Sequence, residues 1–201
     1  MKKSNQSHDT ALLICGALAR EVIALRDLHG WQADIWAIPA KLHMTPGKIA
    51  PAVRARFEAL RQQYERIVVV YGDCGTGGAL DTLLDELGIQ RIAGPHCYEM
   101  YAGAEKWEEL TNEEPGTFYL TDFLLRQFDA LVIKELGLDR YPFLRDDYFH
   151  NYKRLVYLAQ TEPTEEMILR AHDASEKLDL PLEVRITGMG DLETRLMSAL
   201  A

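Results

Sequence analysis

Ile67-Val68-Val69-Val70-Tyr71-Gly72-Asp73-Cys74-Gly75-Thr76-Gly77-Gly78 is an apolar, largely β-branched run that ends in a turn holding four glycines. The run has the length and composition of a buried strand, and the glycines supply the tight turn by which a strand hands over to a helix. A helix-like segment over residues 80–87 follows. Two other stretches share the design. Residues 11–14 lead into Cys15-Gly16-Ala17-Leu18, and the shorter run 90–93 leads into Gly94-Pro95-His96-Cys97-Tyr98-Glu99. Further strand-like runs lie at 34–38, 117–120, 155–159 and 182–186. Helix-like segments lie between them at 18–28, 48–64, 105–110, 122–136, 165–178 and 191–200. Strands alternating with helices predict an α/β fold: a mostly parallel sheet with helices on both faces, built from repeated strand–turn–helix units.

All three cysteines, Cys15, Cys74 and Cys97, stand where a strand gives way to a turn. In open α/β sheets the ligand crevice lies outside the carboxyl ends of the strands. If the three strands are neighbours, three thiols meet at one edge. Thiolate and imidazole together suit zinc, with three protein ligands and an open position in catalytic sites. The expected ligands are Cys15, Cys74 and Cys97, joined by His43 or His96. A [4Fe–4S] cluster on three cysteines is an alternative, and small apolar packing by free cysteine is another.

Around these ligands, Asp73, Glu99 and His43 are the candidate catalytic groups. Gly72, Gly75, Thr76, Gly77 and Gly78 are candidates for holding a cofactor, because successive N–H groups before a helix can cradle an anion. The turn matches neither standard phosphate-binding fingerprint. Asp73 also suits an Asx-type turn. Glu21 is read as solvated, His8 as part of a tail, and His29 and His172 as surface or capping residues. His150 and the aromatic stretch over 137–153 are read as an inserted cap or partner-docking surface.

Composition narrows the classes. The chain has 201 residues, 47% of them hydrophobic, and a net charge of −9. Its lysines and arginines are not clustered, which argues against nucleic acid or an anionic membrane as partner. No stretch approaches the roughly 20 apolar residues of a membrane helix. The expected organisation is a disordered lead-in over 1–10 and a single domain over 11–201. The odd number of cysteines suits a cytoplasmic protein with free thiols. Residues 76–84 also echo residues 187–196, which raises an internal duplication as a possibility.

Ile14-Cys15-Gly16-Ala17-Leu18-Ala19-Arg20-Glu21, Leu42-His43-Met44-Thr45-Pro46, the Tyr71–Gly78 turn, Gly94-Pro95-His96-Cys97-Tyr98-Glu99, Tyr119-Leu120-Thr121-Asp122-Phe123 and Tyr148-Phe149-His150-Asn151-Tyr152 together resemble the bacterial and archaeal proteins grouped as domain-of-unknown-function family 1638. The resemblance covers nearly the whole chain after the lead-in and brings no established activity. Members are often encoded near corrinoid-dependent methyltransferases. The resemblance therefore implies one-carbon chemistry: an enzyme transferring a methyl group to a small-molecule thiol or a corrinoid. The alternative it leaves open is an accessory protein or chaperone that binds a corrinoid, a metal or a methyltransferase partner without turnover.

Overall fold

The computed structural model describes residues 8–201. These divide into two compact units, one comprising residues up to Cys97 together with Glu193–Ala201, the other Tyr98–Leu192. Each unit has its own sheet.

In the first unit β1 (Thr10–Cys15) lies between β2 (Ala33–Ile38) and β3 (Arg66–Val70), all parallel. The central strand is covered on both faces, which is why it reads as a continuous apolar run: Ala11, Leu12, Leu13 and Ile14 are fully buried. Full burial of a Leu or Ile side chain contributes about 1.5–3 kcal/mol. The crossovers are α1 (Ala19–His29) and α2 (Ile49–Leu60), and α3 (Ala79–Leu87) follows β3. The expected strand over 90–93 is reduced to one parallel bridge, Val69 to Arg91. The lead-in is shorter than expected. Thr10 already belongs to β1, and the Asp9 carbonyl accepts from the N–H groups of Glu65 and Arg66. Residues 1–7 lie outside the described residues.

The second unit contains α4 (Cys97–Ala102, of which Cys97 itself belongs to the first unit), α5 (Ala104–Glu113), β4 (Thr117–Thr121), α6 (Asp122–Arg126), α7 (Leu144–Phe149), β5 (Arg154–Ala159), α8 (Glu165–Leu178) and β6 (Leu182–Ile186). Its strands are parallel in the order β4-β5-β6, and β5 is buried along its whole length. Thr121 and Thr164 cap α6 and α8 by accepting from Leu124 and Met167 N–H. The single helix expected over 122–136 is broken. After Arg126 the chain passes through a π-turn at Asp129–Ile133, and this wider winding lets Leu125, Phe128 and Val132 all reach the core. Helix α9 (Leu192–Leu200) lies mostly in the first unit, where Arg66 donates to the Ala199 carbonyl at 2.7 Å and Arg195 to that of Ala93 at 2.7 Å.

The first sheet runs β2-β1-β3 and the second β4-β5-β6. The echo between 76–84 and 187–196 therefore joins two strand–glycine-turn–helix connections in sheets of different strand order, and the two units are not copies of one topology. Within the second unit, segment 137–153 packs near the start of β4. Phe149 and Tyr152 pack against Phe118 near the start of β4, and the Lys153 N–H donates to Gly116 O at 2.6 Å, at the sheet's amino end.

Candidate thiol site

Cys15 is the last residue of β1. Ile14 stands opposite Val70 in the β1–β3 register, so the next residues, Cys15, still paired with Ile38 of β2, and Tyr71, just past β3, follow one another's strands side by side. Tyr71 is only 1% exposed. Cys74 lies three residues further on and is itself buried, with a left-handed φ of +49°. That conformation is uncommon for a residue with a Cβ and persists only where the surroundings enforce it.

The enforcement comes from the turn carrying Cys97. The Cys74 N–H donates to Pro95 O at 2.8 Å, and Asp73 N–H to Gly94 O at 3.4 Å. At Gly72 the two turns approach so closely that a Cβ would lie 2.7 Å from His96 Cα and 2.9 Å from Pro95 O. Arg91 ties the arrangement down from behind. Its guanidinium donates to Gly94 O at 2.8 Å and Ile92 O at 3.1 Å, and holds Asp81 through Nε at 2.6 Å and Nη2 at 3.0 Å.

Burial first, then the thiols of Cys15, Cys74 and Cys97, push the Tyr71 hydroxyl well above its ordinary pKa. Burial pushes the Cys15 thiol up, against smaller opposing effects of the Ala17 N–H and Tyr71. Burial likewise pushes Cys74 up to about 12, with the neighbouring Cys15 charge adding to it and Arg91 opposing it. Cys97 is half-buried, and all three are free thiols. Cys15 ends β1, Cys74 follows β3, and Cys97 lies in the turn that the Cys74 loop bonds to. Among the described residues, however, no three His, Cys, Asp or Glu side chains are spaced to hold a metal ion.

The remaining candidates separate. Asp73 turns into its own loop, accepting from the Thr76 hydroxyl, from Gly78 N–H at 3.0 Å and from Gly77 N–H at 3.4 Å. The Thr76 bond first, then the loop N–H groups, hold its carboxyl below the usual range. The donors that a cofactor phosphate would need at Gly77 and Gly78 are therefore engaged by Asp73, which serves as the clamp of the turn. His43 is exposed on the 3₁₀ turn Ala40–Met44, although nearby protein bulk lowers its imidazole pKa. His96 contributes its backbone to the contact with Gly72. Glu99 is buried on α4. Glu21, read from the sequence as solvated, is only 5% exposed: the 3₁₀ turn Gly16–Leu18 before α1 rotates the helix and turns this position inward. His150 is exposed, with its Nδ1 against the Asp147 carbonyl at 2.8 Å.

Two organising residues escaped the sequence reading. The sequence reads Tyr71 as the end of a strand and Arg91 as part of a weak one. A lone arginine inside a short apolar run was the available signal for the second.

The family model described as Protein of unknown function (DUF1638) matches residues 37–196. The chain belongs to this family. The match takes in Cys74 and Cys97 and leaves Cys15 outside. No curated protein and no solved structure matches the chain. Among the described residues, no helix is long and apolar enough to cross a membrane.

Gly72→Ala tests the coupling of the two turns. The added methyl meets backbone on the Pro95–His96 side, which cannot swing away. We expect a loss of about 2–3 kcal/mol and faster alkylation of Cys97 under native conditions, read by thermal denaturation and mass spectrometry. Wild-type alkylation kinetics would show that the turns are not locked together.

Proposed function

We propose that Cys15, Cys74 and Cys97 form the working site of this DUF1638 protein and take up a thiophilic metal, zinc first. What supports this reading is that Cys15, Cys74 and Cys97, distant in sequence, all influence Tyr71, which follows β3 beside the end of β1. Metal binding would draw the sulfurs together and release their protons. The Cys74 turn is where that movement costs least, because relaxing the left-handed φ of +49° releases strain. Half-buried Cys97 gives the site its access to solvent. An iron–sulfur cluster uses the same ligands and is separated from zinc by anaerobic preparation.

Metal analysis of protein purified without tag or chelator tests the proposal. About one metal per chain is expected, and less than about a tenth, aerobically and anaerobically, would sink it. Zinc added at 100 times its Kd should stabilise the protein by about 2.7 kcal/mol. Cys74→Ser should lose most of the metal with little loss of fold. Cys15→Ser should lose metal and also disturb packing, and His43→Ala should keep the most. Full metal retention in Cys74→Ser would place the site elsewhere.

A second reading, a binding module without turnover, is favoured by one surface. Phe143 is 66% exposed and packs edge-to-face with exposed Tyr141, next to a cleft lined by Ile133, Leu138, Pro142 and Arg145. Exposed aromatics grouped in this way suit partner docking. A stoichiometric partner retained from native cells and lost in Phe143→Ala would favour this reading, whereas activity of the isolated chain would exclude it.

A further inference from the structure

We propose that β6 is the docking edge for a second copy of this chain, the two β6 strands pairing antiparallel about a two-fold axis through Val184. Strand β6 (Leu182–Ile186) ends the second sheet in the order β4-β5-β6, and among the described residues its one strand partner is β5. Three consecutive residues of it, Val184, Arg185 and Ile186, are exposed, Val184 to 37% and Ile186 to 54%. The other sheet edges are better covered: β3 is carried on by the Val69–Arg91 bridge, and the side chains of β2 and β4 are mostly buried or half-buried. Edge strands are commonly kept from pairing by a bulge, a proline or a lysine. Strand β6 contains no proline or lysine, and its register with β5 runs unbroken.

The hydrogen bonds to β5 fix how a partner must align. Pro181 O accepts from Leu155 N–H at 2.9 Å, and Thr187 N–H donates to Ala159 O at 2.9 Å. The odd-numbered positions therefore turn their main-chain groups toward β5, and Leu182, Val184 and Ile186 turn theirs outward. An antiparallel copy has to meet these outward groups with its own. Centring on Val184 sets Val184 against Val184, Leu182 against Ile186 and Glu183 against Arg185 of the second copy. The Glu183 and Arg185 pairs are then the non-hydrogen-bonded ones, where side chains stand closest and opposite charges stabilise. Leu-Glu-Val-Arg-Ile is thus its own complement when reversed. Sliding the pairing by two residues sets Arg185 against Arg185 in one direction and Glu183 against Glu183 in the other. Both charges already lie on one face, where Arg185 donates to Glu183 at 2.8 Å and Arg154 to the same carboxylate at 3.1 Å. On the other face Leu182 packs against the core cluster that includes Met167, Ala171 and Leu178 of α8, and the apolar row of the second copy continues this surface over Val184 and Ile186. A two-fold pairing of one patch with itself is the commonest way for a chain to assemble.

Light scattering on the full chain, with sedimentation to measure the dimer Kd, tests this. The wild-type protein should have twice the 22.8 kDa mass of one chain. Arg185→Glu sets acid against acid on both sides of the axis and should raise the Kd about 10-fold or more. Val184→Pro removes an outward N–H that β5 does not use, so it should leave the far-ultraviolet spectrum unchanged and reduce the mass to that of one chain. Val184→Cys supplies a measurement that does not depend on either variant. Mild oxidation should join two copies through position 184 in both, identified by mass spectrometry of the linked peptide. A wild-type mass of one chain up to millimolar concentration overturns the proposal. A dimer whose Kd is unchanged in Arg185→Glu, or whose Val184→Cys form gives no link through position 184, has its interface elsewhere and also overturns it.

Discussion

Gly190→Ala is expected to lower the melting temperature by roughly 10 °C, from a loss of about 3–4 kcal/mol. Gly190 has a φ of +50°, where a residue with a Cβ is strained. The space is closed as well. A Cβ would lie 2.5 Å from the Tyr101 carbonyl carbon and 2.6 Å from Met100 O, with Tyr101 O closer still. These are backbone atoms, so relief requires moving the end of α4. That movement would break the bond from Asp191 N–H to Met100 O at 2.8 Å, and with it the grip of the Asp191 carboxylate on Ala104 N–H at 3.2 Å, at the start of α5. Calorimetry of the purified variant measures the effect. A change below about 1 kcal/mol would mean that the turn yields without disturbing either helix.

Asp122→Ala should cost a similar amount, about 3–5 kcal/mol, for a different reason. Asp122 is buried at the carboxyl end of β4. Its Oδ1 accepts from the Tyr157 hydroxyl at 2.6 Å and from Gln160 N–H at 3.2 Å, while its own N–H donates to Gln160 Oε1 at 2.7 Å. Truncation strands a buried hydroxyl and a buried amide in the second unit. Tyr157→Phe in the Asp122→Ala background should recover part of the loss, since it removes one stranded group, and a double-mutant cycle by chemical denaturation reads the coupling. Additive effects of the two substitutions would show that water takes over the hydroxyl's bond.

The α/β class was legible because the two central strands, β1 and β5, are buried on both faces and so appear as unbroken apolar runs. The sites of Cys15 and Cys74 were legible for the same reason, because each cysteine ends or follows a long run. What was not legible depends on contacts between segments distant in sequence. Two helices were missed, Cys97–Ala102 and Leu144–Phe149, each only 6 residues long and without the periodicity that marks longer ones. The inward turn of Glu21 and the engagement of the loop N–H groups by Asp73 both arise from tertiary geometry. Arg91 shows the limit most clearly. Its place in a short apolar run suggested a strand, whereas its side chain ties together carbonyls and a carboxylate that the sequence does not bring near one another.

The assignment of Glu193–Ala201 to the first unit sets an order of assembly during synthesis. Domains usually fold as they emerge, the earlier one first. In this chain the second unit is a single stretch, Tyr98–Leu192, and is wholly translated before the first unit has its last helix. The thiol-bearing unit is begun first and completed last. Until α9 arrives, the Ala93 carbonyl lacks Arg195 and the Arg66 guanidinium lacks the Ala199 carbonyl, so nascent chains stalled before residue 193 should carry a finished second unit beside an unfinished first one.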